Sequence, residues 1–490
     1  LCILLFVLAC VMLGWAYWKV TAQVNTIRIE EDLLLPILMG ILGTILIFWS
    51  LSGLVLRVVQ SIQKIYLKGT NLFVLRQIHN KINTTVLSMS VICLMLFLTI
   101  SILSSFLSLR NTMQRELAEM TPVDLNLYKT ANLPESYQRY GKEVFPTKEQ
   151  IADSKVTIQE TLQNNGFDLS LLKDVVEIPV YATNNLTWKD FFGDHFEEVK
   201  AQYSMLQYDT AEQIVKISDY NKIARLYGLE EYTLEENEYI VLCDFDNMKG
   251  LRNQVLANGN SLMIAGKEYK SKYNECKEGF ILMSTSHVNT GIILVPDSCN
   301  LTDDMKEQMV LVANYNVTTE EEKQKMEEIF SSEDSELIQN LNESGIEIDG
   351  MTKISIVNAS VGIATIVTFI AIYLGIIFLI ASSAILALKQ LTESSDNKQR
   401  YAILRKIGCD EKMINQALFR QIGIFFGLPL ILAIIHSIFG IQFVMSMMTG
   451  LANKKDLLPS IIGTVCIMGG IYGAYFLATY LRSKSMIQEE

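Results

Sequence analysis

The segment QRYAILRKIGCDEKMINQALFRQIGIFF, Gln399–Phe426, is basic and amphipathic, is broken by one glycine, and lies between two long apolar stretches. In its first part Arg400, Ile403, Leu404 and Ile407 share a helical face, Arg405 and Lys406 are polar, and Gly408 suits the position just past a helix end. Asp410 is placed to cap a second helix, and Glu411 favours the positive end of its dipole. On that second helix Met413, Ile414, Ala417 and Leu418 form an apolar patch, with Lys412, Gln416 and Arg420 around it. The pattern predicts a short helix that docks its patch into a groove of another protein. A solvated hairpin resting on lipid headgroups accounts for the basic residues but not for two ordered caps.

Outward from this segment, six stretches are long enough to cross a hydrocarbon core, which takes roughly 20 apolar residues in a helix. They are Leu1–Trp18, Leu33–Leu56, Thr84–Leu109, Ser355–Leu388, Ile422–Met448 and Leu457–Leu481. The first ends in Trp15, Tyr17, Trp18 and Lys19, an interfacial anchor, and has no initiator Met or basic leader. It reads as a membrane span of a chain whose N-terminal part is expected to precede residue 1.

The 490 residues are 50% hydrophobic with mean hydropathy +0.26, but that average joins two materials. Residues 111–353 hold 43 acidic and 22 basic side chains, and the remainder holds 10 and 19. An acidic block inside a basic, apolar frame predicts a membrane protein with one large soluble domain. It also argues against nucleic acid as a partner, because phosphates need basic patches.

Loop charges orient the chain. Arg57, Lys64, Lys68, Arg76 and Lys81 occur with no acid between them, and residues 389–420 carry seven basic against four acidic side chains. Both loops are therefore expected in the cytoplasm, with the acidic block extracellular and Arg482 and Lys484 inside. The expected order is two membrane helices (1–60), a cytoplasmic amphipathic helix (61–83), a third membrane helix able to extend as a stalk (84–110), an extracellular α+β domain (111–353), a fourth membrane helix (354–390), a coupling hairpin (391–421), two more membrane helices (422–482) and a tail (483–490). In TNLFVLRQIHNKINTTVL, Leu72, Leu75, Ile78 and Ile82 share a face, which predicts a helix lying on the inner membrane surface before the chain turns to cross.

Within the acidic block, VDLNLY from Val123 alternates as a half-buried strand does, and EYIVLCDFD, SLMIAGKEY and GIILVP supply further strands. TTEEEKQKMEEIF opens with a capping box of Thr318 and Glu321. SDYNKIARLYG has Ser218 as N-cap and Gly228 as stop. SLRNTMQREL continues the third helix and GIEIDGMTK leads into the fourth, so a movement of the domain could reach the membrane helices. The sequence leaves the topology of the block open.

No nucleotide-binding P-loop, HExxH or GxSxG pattern occurs, and the four histidines are scattered with no CxxC, so neither catalysis nor a metal site nor a cofactor is expected. Cys2, Cys10, Cys93, Cys409 and Cys466 fall in spans or cytoplasm; Cys243, Cys276 and Cys299 fall in the acidic block and allow one disulfide at most, with no pair favoured. His436 lies inside the fifth span. It is either a functional intramembrane group or a neutral imidazole bonding a neighbouring helix carbonyl, which Pro429 could free by kinking the helix; with no acid at membrane depth, the packing role is favoured.

RYAILRKIGCDEKMINQALFRQ followed by LPLILAIIHSIFG resembles the C-terminal module of FtsX-like (MacB-type) ABC transporter permeases, within them the Bce-type bacitracin and peptide-antibiotic resistance permeases. LRQIHNKINTTVLSMSVICLMLFLTISILSSF is similar to the family's amphipathic helix and the span before its large outer domain. Cys409 and Asp410 stand where the family more often has a small residue and Ser or Thr. The resemblance implies ten spans in the complete protein, of which these are the last six. It implies two copies of an ATPase subunit bound through Asp410–Arg420, an outer domain that meets peptide antibiotics or their lipid-intermediate complexes, a sensor histidine kinase as a further partner, and no catalytic residues. Rival readings are lipoprotein release, regulation of cell-wall hydrolases, or a membrane receptor without transport.

Overall fold

The computed structural model describes residues 2–22, 32–61, 69–134, 146–183, 185–202, 207–344, 347–448 and 456–488. Six of its helices contain stretches long and apolar enough to cross a membrane: Cys2–Ala22, Leu34–Ser61, Asn71–Met120, Lys353–Asp396, Glu411–Met447 and Leu457–Gln488. The chain divides into two compact units, one of Leu1–Thr112 with Thr365–Glu490, the other of Met113–Ala364.

In the helical unit the third helix is central. Its Met89, Ile92, Cys93 and Leu96 are enclosed by Leu379, Leu386, Ile422, Phe425 and Tyr472. Leu103 stands against Gly375, where a Cβ would come within 2.6 Å of its side chain, so only glycine permits that helix approach. Hydroxyls and amides join helices where apolar contact alone would not select a partner: Ser104 donates to Thr464 at 3.1 Å, Asn111 to Ser460 at 3.2 Å and Thr112 to Asp456 at 2.9 Å. Ile366, Phe369 and Tyr373 of the fourth helix stay exposed, as a lipid-facing surface requires.

Two expectations for this unit change. The amphipathic segment and the third span are one unbroken helix of 50 residues, not a surface helix followed by a turn. Along it Val74, Leu75 and Gln77 are buried while Leu72 is exposed, and the side chains of residues 78–84 lie outside the described residues. The second helix of the hairpin likewise runs without a break from Glu411 through Pro429 to Met447. Residues 62–68 of the basic loop from Arg57 to Lys81 lie outside the described residues.

Among the described residues the other unit is built on a nine-stranded mixed sheet: β1 (Leu125–Thr130), β2 (Leu172–Tyr181), β3 (Gln213–Lys216), β4 (Glu238–Leu242), β5 (Ser261–Ile264), β6 (Lys267–Ser271), β7 (Ile292–Val295), β8 (Lys306–Tyr315) and β9 (Ile348–Thr352). Its order is β5-β6-β4-β7-β3-β2-β8-β1-β9. β3 and β7 pair in parallel, Ile214 beside Ile293, as do β4 and β6; the other pairs are antiparallel, with Leu125 opposite Ala313 in β1 and β8.

Strand alternation sorts the apolar residues to two faces. Ile178, Val180, Ile240, Leu242, Ile292, Leu294, Val310 and Val312 pack on one face with the helix Ile217–Tyr227. Their strand neighbours Tyr239, Val241, Ile293 and Val295 point the other way, against Trp188–Phe192 and Asp246–Leu256. Leu125, Leu127, Leu311 and Ala313 also face away from the first core and meet Ile158–Asn164 and Glu320–Ser331. Each Val, Leu or Ile among them contributes about 1.5–3 kcal/mol once buried.

Because both faces are covered, VDLNLY is not half-buried. Asn126 is buried, accepting from Met283 N at 2.9 Å, and the buried Lys129 ammonium donates to Asp153 O, Val156 O and Thr161 Oγ1. Three acceptors match its three donors. Burial lowers the Lys129 ammonium to about 8.

Two caps shift by a residue or change partner. The capping box is Thr319 with Glu322, since the helix begins at Glu320. Ser218 lies inside the helix Ile217–Tyr227, and its N–H is taken by the Asp297 carboxylate from the loop after β7. Gly228 ends that helix in the left-handed conformation, φ 72°, as expected. SLMIAGKEY makes a hairpin of two strands, and all eight cysteines are free thiols.

Candidate functional site

The Gly-broken segment consists of the helix Lys398–Lys406, a turn, and the start of the helix Glu411–Met447. Gly408 has φ 91°, which a side chain would resist, and its N–H donates to Arg405 O at 3.0 Å while Cys409 N reaches Leu404 O at 3.1 Å. Asp410 occupies the N-cap position, but its carboxylate accepts no helix N–H. The turn is held instead by Arg405, which donates to Glu411 Oε1 at 2.5 Å and to Ile487 O at 2.8 Å. Behind it the buried Tyr401 hydroxyl donates to Gln421 Oε1 at 2.9 Å.

The expected docking patch is not on the surface. Ile414, Ala417 and Leu418 are buried in the helical unit's core and Met413 is half-buried. The tertiary packing of the fifth helix takes the apolar face that the sequence pattern offered to a partner. What the segment exposes is different: Ile403 at 57% and Ile407 at 70%, beside Lys406, Gly408 and Asp410. Lys412, Gln416, Phe419 and Arg420 are exposed on the next helix. Of Ile403, Leu404 and Ile407, which share a face by helical spacing, only Leu404 is buried.

His436 is buried, and its partners are hydroxyls, not a carbonyl. Thr44 Oγ1 donates its hydrogen to Gly40 O at 2.7 Å, so the 3.0 Å contact with His436 Nε2 requires that nitrogen to donate. Nδ1 lies 2.5 Å from the Tyr17 hydroxyl. The imidazole thereby joins the first, second and fifth helices. Near Pro429 it is Tyr472 that donates to a carbonyl, Phe426 O at 2.8 Å.

The sheet unit contains a cleft of about 1040 Å³ with Tyr128, Trp188, Phe196 and Tyr208 in its walls. Lys189 and Lys200 lie 5.5 and 5.4 Å from the Phe196 ring centroid, and Glu197, Asp209 and Glu307 also line it. The charge is nearly balanced there, so the unit's acidic excess lies elsewhere on its surface. Aromatic walls with a few charged groups can take a ligand that is partly apolar.

Two polar clusters stiffen this unit. Glu212 and Arg252, both fully buried, form a bidentate pair at 2.9 and 2.9 Å, and Arg252 Nε donates to Thr290 O at 2.7 Å. Burial pushes the Glu212 carboxyl up while Arg252 opposes it. In the second cluster, His287 lies between Asp244 at 3.2 Å and Glu119 at 3.3 Å. The Asp244 contact raises its imidazole to about 9. Neither cluster had a sequence signal beyond a lone His in the loop STSHVNTG. Among the described residues no three His, Cys, Asp or Glu side chains gather as a metal site.

No family model matches the chain. It is 23% identical to an uncharacterized ABC transporter permease, YvcS, of Bacillus subtilis over 492 residues, 99% of this chain and 69% of the relative. It is 29% identical to the bacitracin export permease protein BceB of Bacillus subtilis over 179 residues, 35% of this chain and 26% of the relative. A bacitracin export permease of Halalkalibacterium halodurans is 39% identical over 74 residues, 15% of this chain and 11% of that protein. The chain thus matches part of each relative's length.

Proposed function

We propose that this chain, a homologue of ABC transporter permeases with bacitracin export permeases among its relatives, is a permease subunit acting in peptide-antibiotic resistance and sensing. The observation that carries the reading is the match to an ABC permease over 99% of this chain and 69% of the relative, on a chain with six apolar helices and one separate sheet domain among the described residues. The sheet domain is extracellular and meets the peptide or its lipid-intermediate complex; ATP is hydrolysed by a separate subunit, in two copies, and a sensor kinase is a further partner. The loop charges support that orientation, and the aromatic cleft supports a partly apolar peptide as ligand.

The ATPase contact in this reading is the turn at Gly408, through exposed Ile403 and Ile407 with Lys406 and Asp410 around them. Such exposed apolar side chains beside charges suit a partner groove. Movement in the ATPase then reaches the core directly, because Ile414, Ala417 and Leu418 of the next helix are packed there.

Binding of a cationic peptide antibiotic to the purified full chain tests the ligand. The acidic excess of residues 111–353, 43 acids against 22 bases, should speed encounter. Association should slow several-fold as ionic strength rises from about 0.02 M to about 0.15 M, where the Debye length is about 8 Å. Absence of binding at either salt, with and without a lipid intermediate, would move the reading to lipoprotein release or cell-wall regulation.

A further inference from the structure

A groove on the fifth membrane helix is lined by Lys412, Asn415, Gln416, Phe419 and Arg420, with Tyr480 from the sixth. Positions 412, 416, 419 and 420 recur at helical spacing and so share one face, away from the buried Ile414, Leu418 and Ile422. Phe419 is 47% exposed, with Phe476 and Tyr480 edge-on to it, each at 5.3 Å between centroids. Arg420 is positioned by its 2.6 Å hydrogen bond to Asn71 Oδ1. Among the described residues the lining carries two cations and no carboxylate.

The level of this groove in a bilayer follows from charge. No Asp, Glu, Lys or Arg occurs from Gln421 to Met447, or from Leu457 to Leu481, and Arg482 is the first charge after the last span. Arg420 and Tyr480 therefore stand at the edge of the hydrocarbon, where lipid phosphates and interfacial aromatics are found. An exposed phenylalanine in a groove with two cations is unfavourable in water but suits a ligand with an anionic head and an apolar tail.

We propose that this groove binds an anionic phospholipid, its phosphate between Lys412 and Arg420 and an acyl chain over Phe419. A zwitterionic headgroup would bring its own cation toward two others, so the site selects net negative lipids. Lys412 and Arg420 are thereby assigned to lipid rather than to the ATPase.

The test uses the full chain reconstituted in equal amounts of phosphatidylglycerol and phosphatidylcholine, then extracted in mild detergent, with retained lipid measured by native mass spectrometry. Phosphatidylglycerol should be retained several-fold over phosphatidylcholine. Lys412→Gln with Arg420→Gln should bring the ratio back to that of the mixture, while Arg400→Gln, exposed and outside the groove, should leave it unchanged. Should the double variant not fold, Lys412→Gln alone carries the comparison, since that side chain is exposed. Equal retention of both lipids, or unchanged selectivity in the groove variants, overturns the proposal. So does displacement by inorganic phosphate without any lipid preference. Lipid retention is read on the permease alone, so loss of ATPase copurification is a separate result.

Discussion

His287 shows how one side chain can hold distant parts of a fold. Its two nitrogens face Asp244, two residues past β4, and Glu119 in the last turn of the helix Asn71–Met120, with Glu116 and Arg115 nearby. Its imidazole is raised from an ordinary 6.5 to about 9, so the folded form binds its proton more tightly than the unfolded chain does. That stability is fully present below about pH 6.5 and is lost as pH rises toward about 9. We expect the melting temperature of the sheet domain to fall across that window. His287→Ala should lower stability at pH 6 and flatten the dependence. Thermal melts of both proteins from pH 6 to pH 9.5 check this, and parallel curves would mean that His287 is not the responsible group.

Among elements, the helix Glu411–Met447 separates two roles that the pattern at its start had merged. Ile414 is 0% exposed and Ile407, seven residues earlier, is 70% exposed. Burying a charge without a partner costs several kcal/mol, so Ile414→Asp should cut the yield of folded protein in detergent. Ile407→Asp should leave folding intact and abolish copurification with the ATPase, because truncating a central interface anchor typically costs about 2 kcal/mol or more. Size-exclusion profiles and pull-down of the two variants decide between them. Normal folding of Ile414→Asp with loss of the ATPase would restore the original docking patch.

For the molecule as a whole, the open quantity is orientation. Asp334 in the sheet domain and Gln399 after the fourth membrane helix are both exposed, whereas Ser394 is only 3% exposed and would resist a label from either side. In a cysteine-free background, Asp334→Cys should react with an impermeant maleimide in intact cells, and Gln399→Cys only after lysis. Labelling of Gln399→Cys from outside would invert the proposed topology, and with it the ligand assignment.

Six apolar helices, an acidic block between the third and fourth, and a Gly-broken basic segment after the fourth could be read directly from residue order. Hydropathy, charge and a left-handed glycine act over a few turns of chain, so local composition carries them. The block's strands were legible piecewise in EYIVL and GIILV, but not their order, because pairing β4 with β7 and β8 with β2 depends on contacts between residues far apart. The same limit applies to the sites. Arg252 meets Glu212 across 40 positions and His436 meets Tyr17 across 419, separations at which no periodicity survives. The face of Met413, Ile414, Ala417 and Leu418 was visible as apolar, yet a stripe on a helix does not name its occupant. Packing within the core of the helical unit filled it from within the chain, and left Ile403, Ile407 and the Lys412–Arg420 groove exposed.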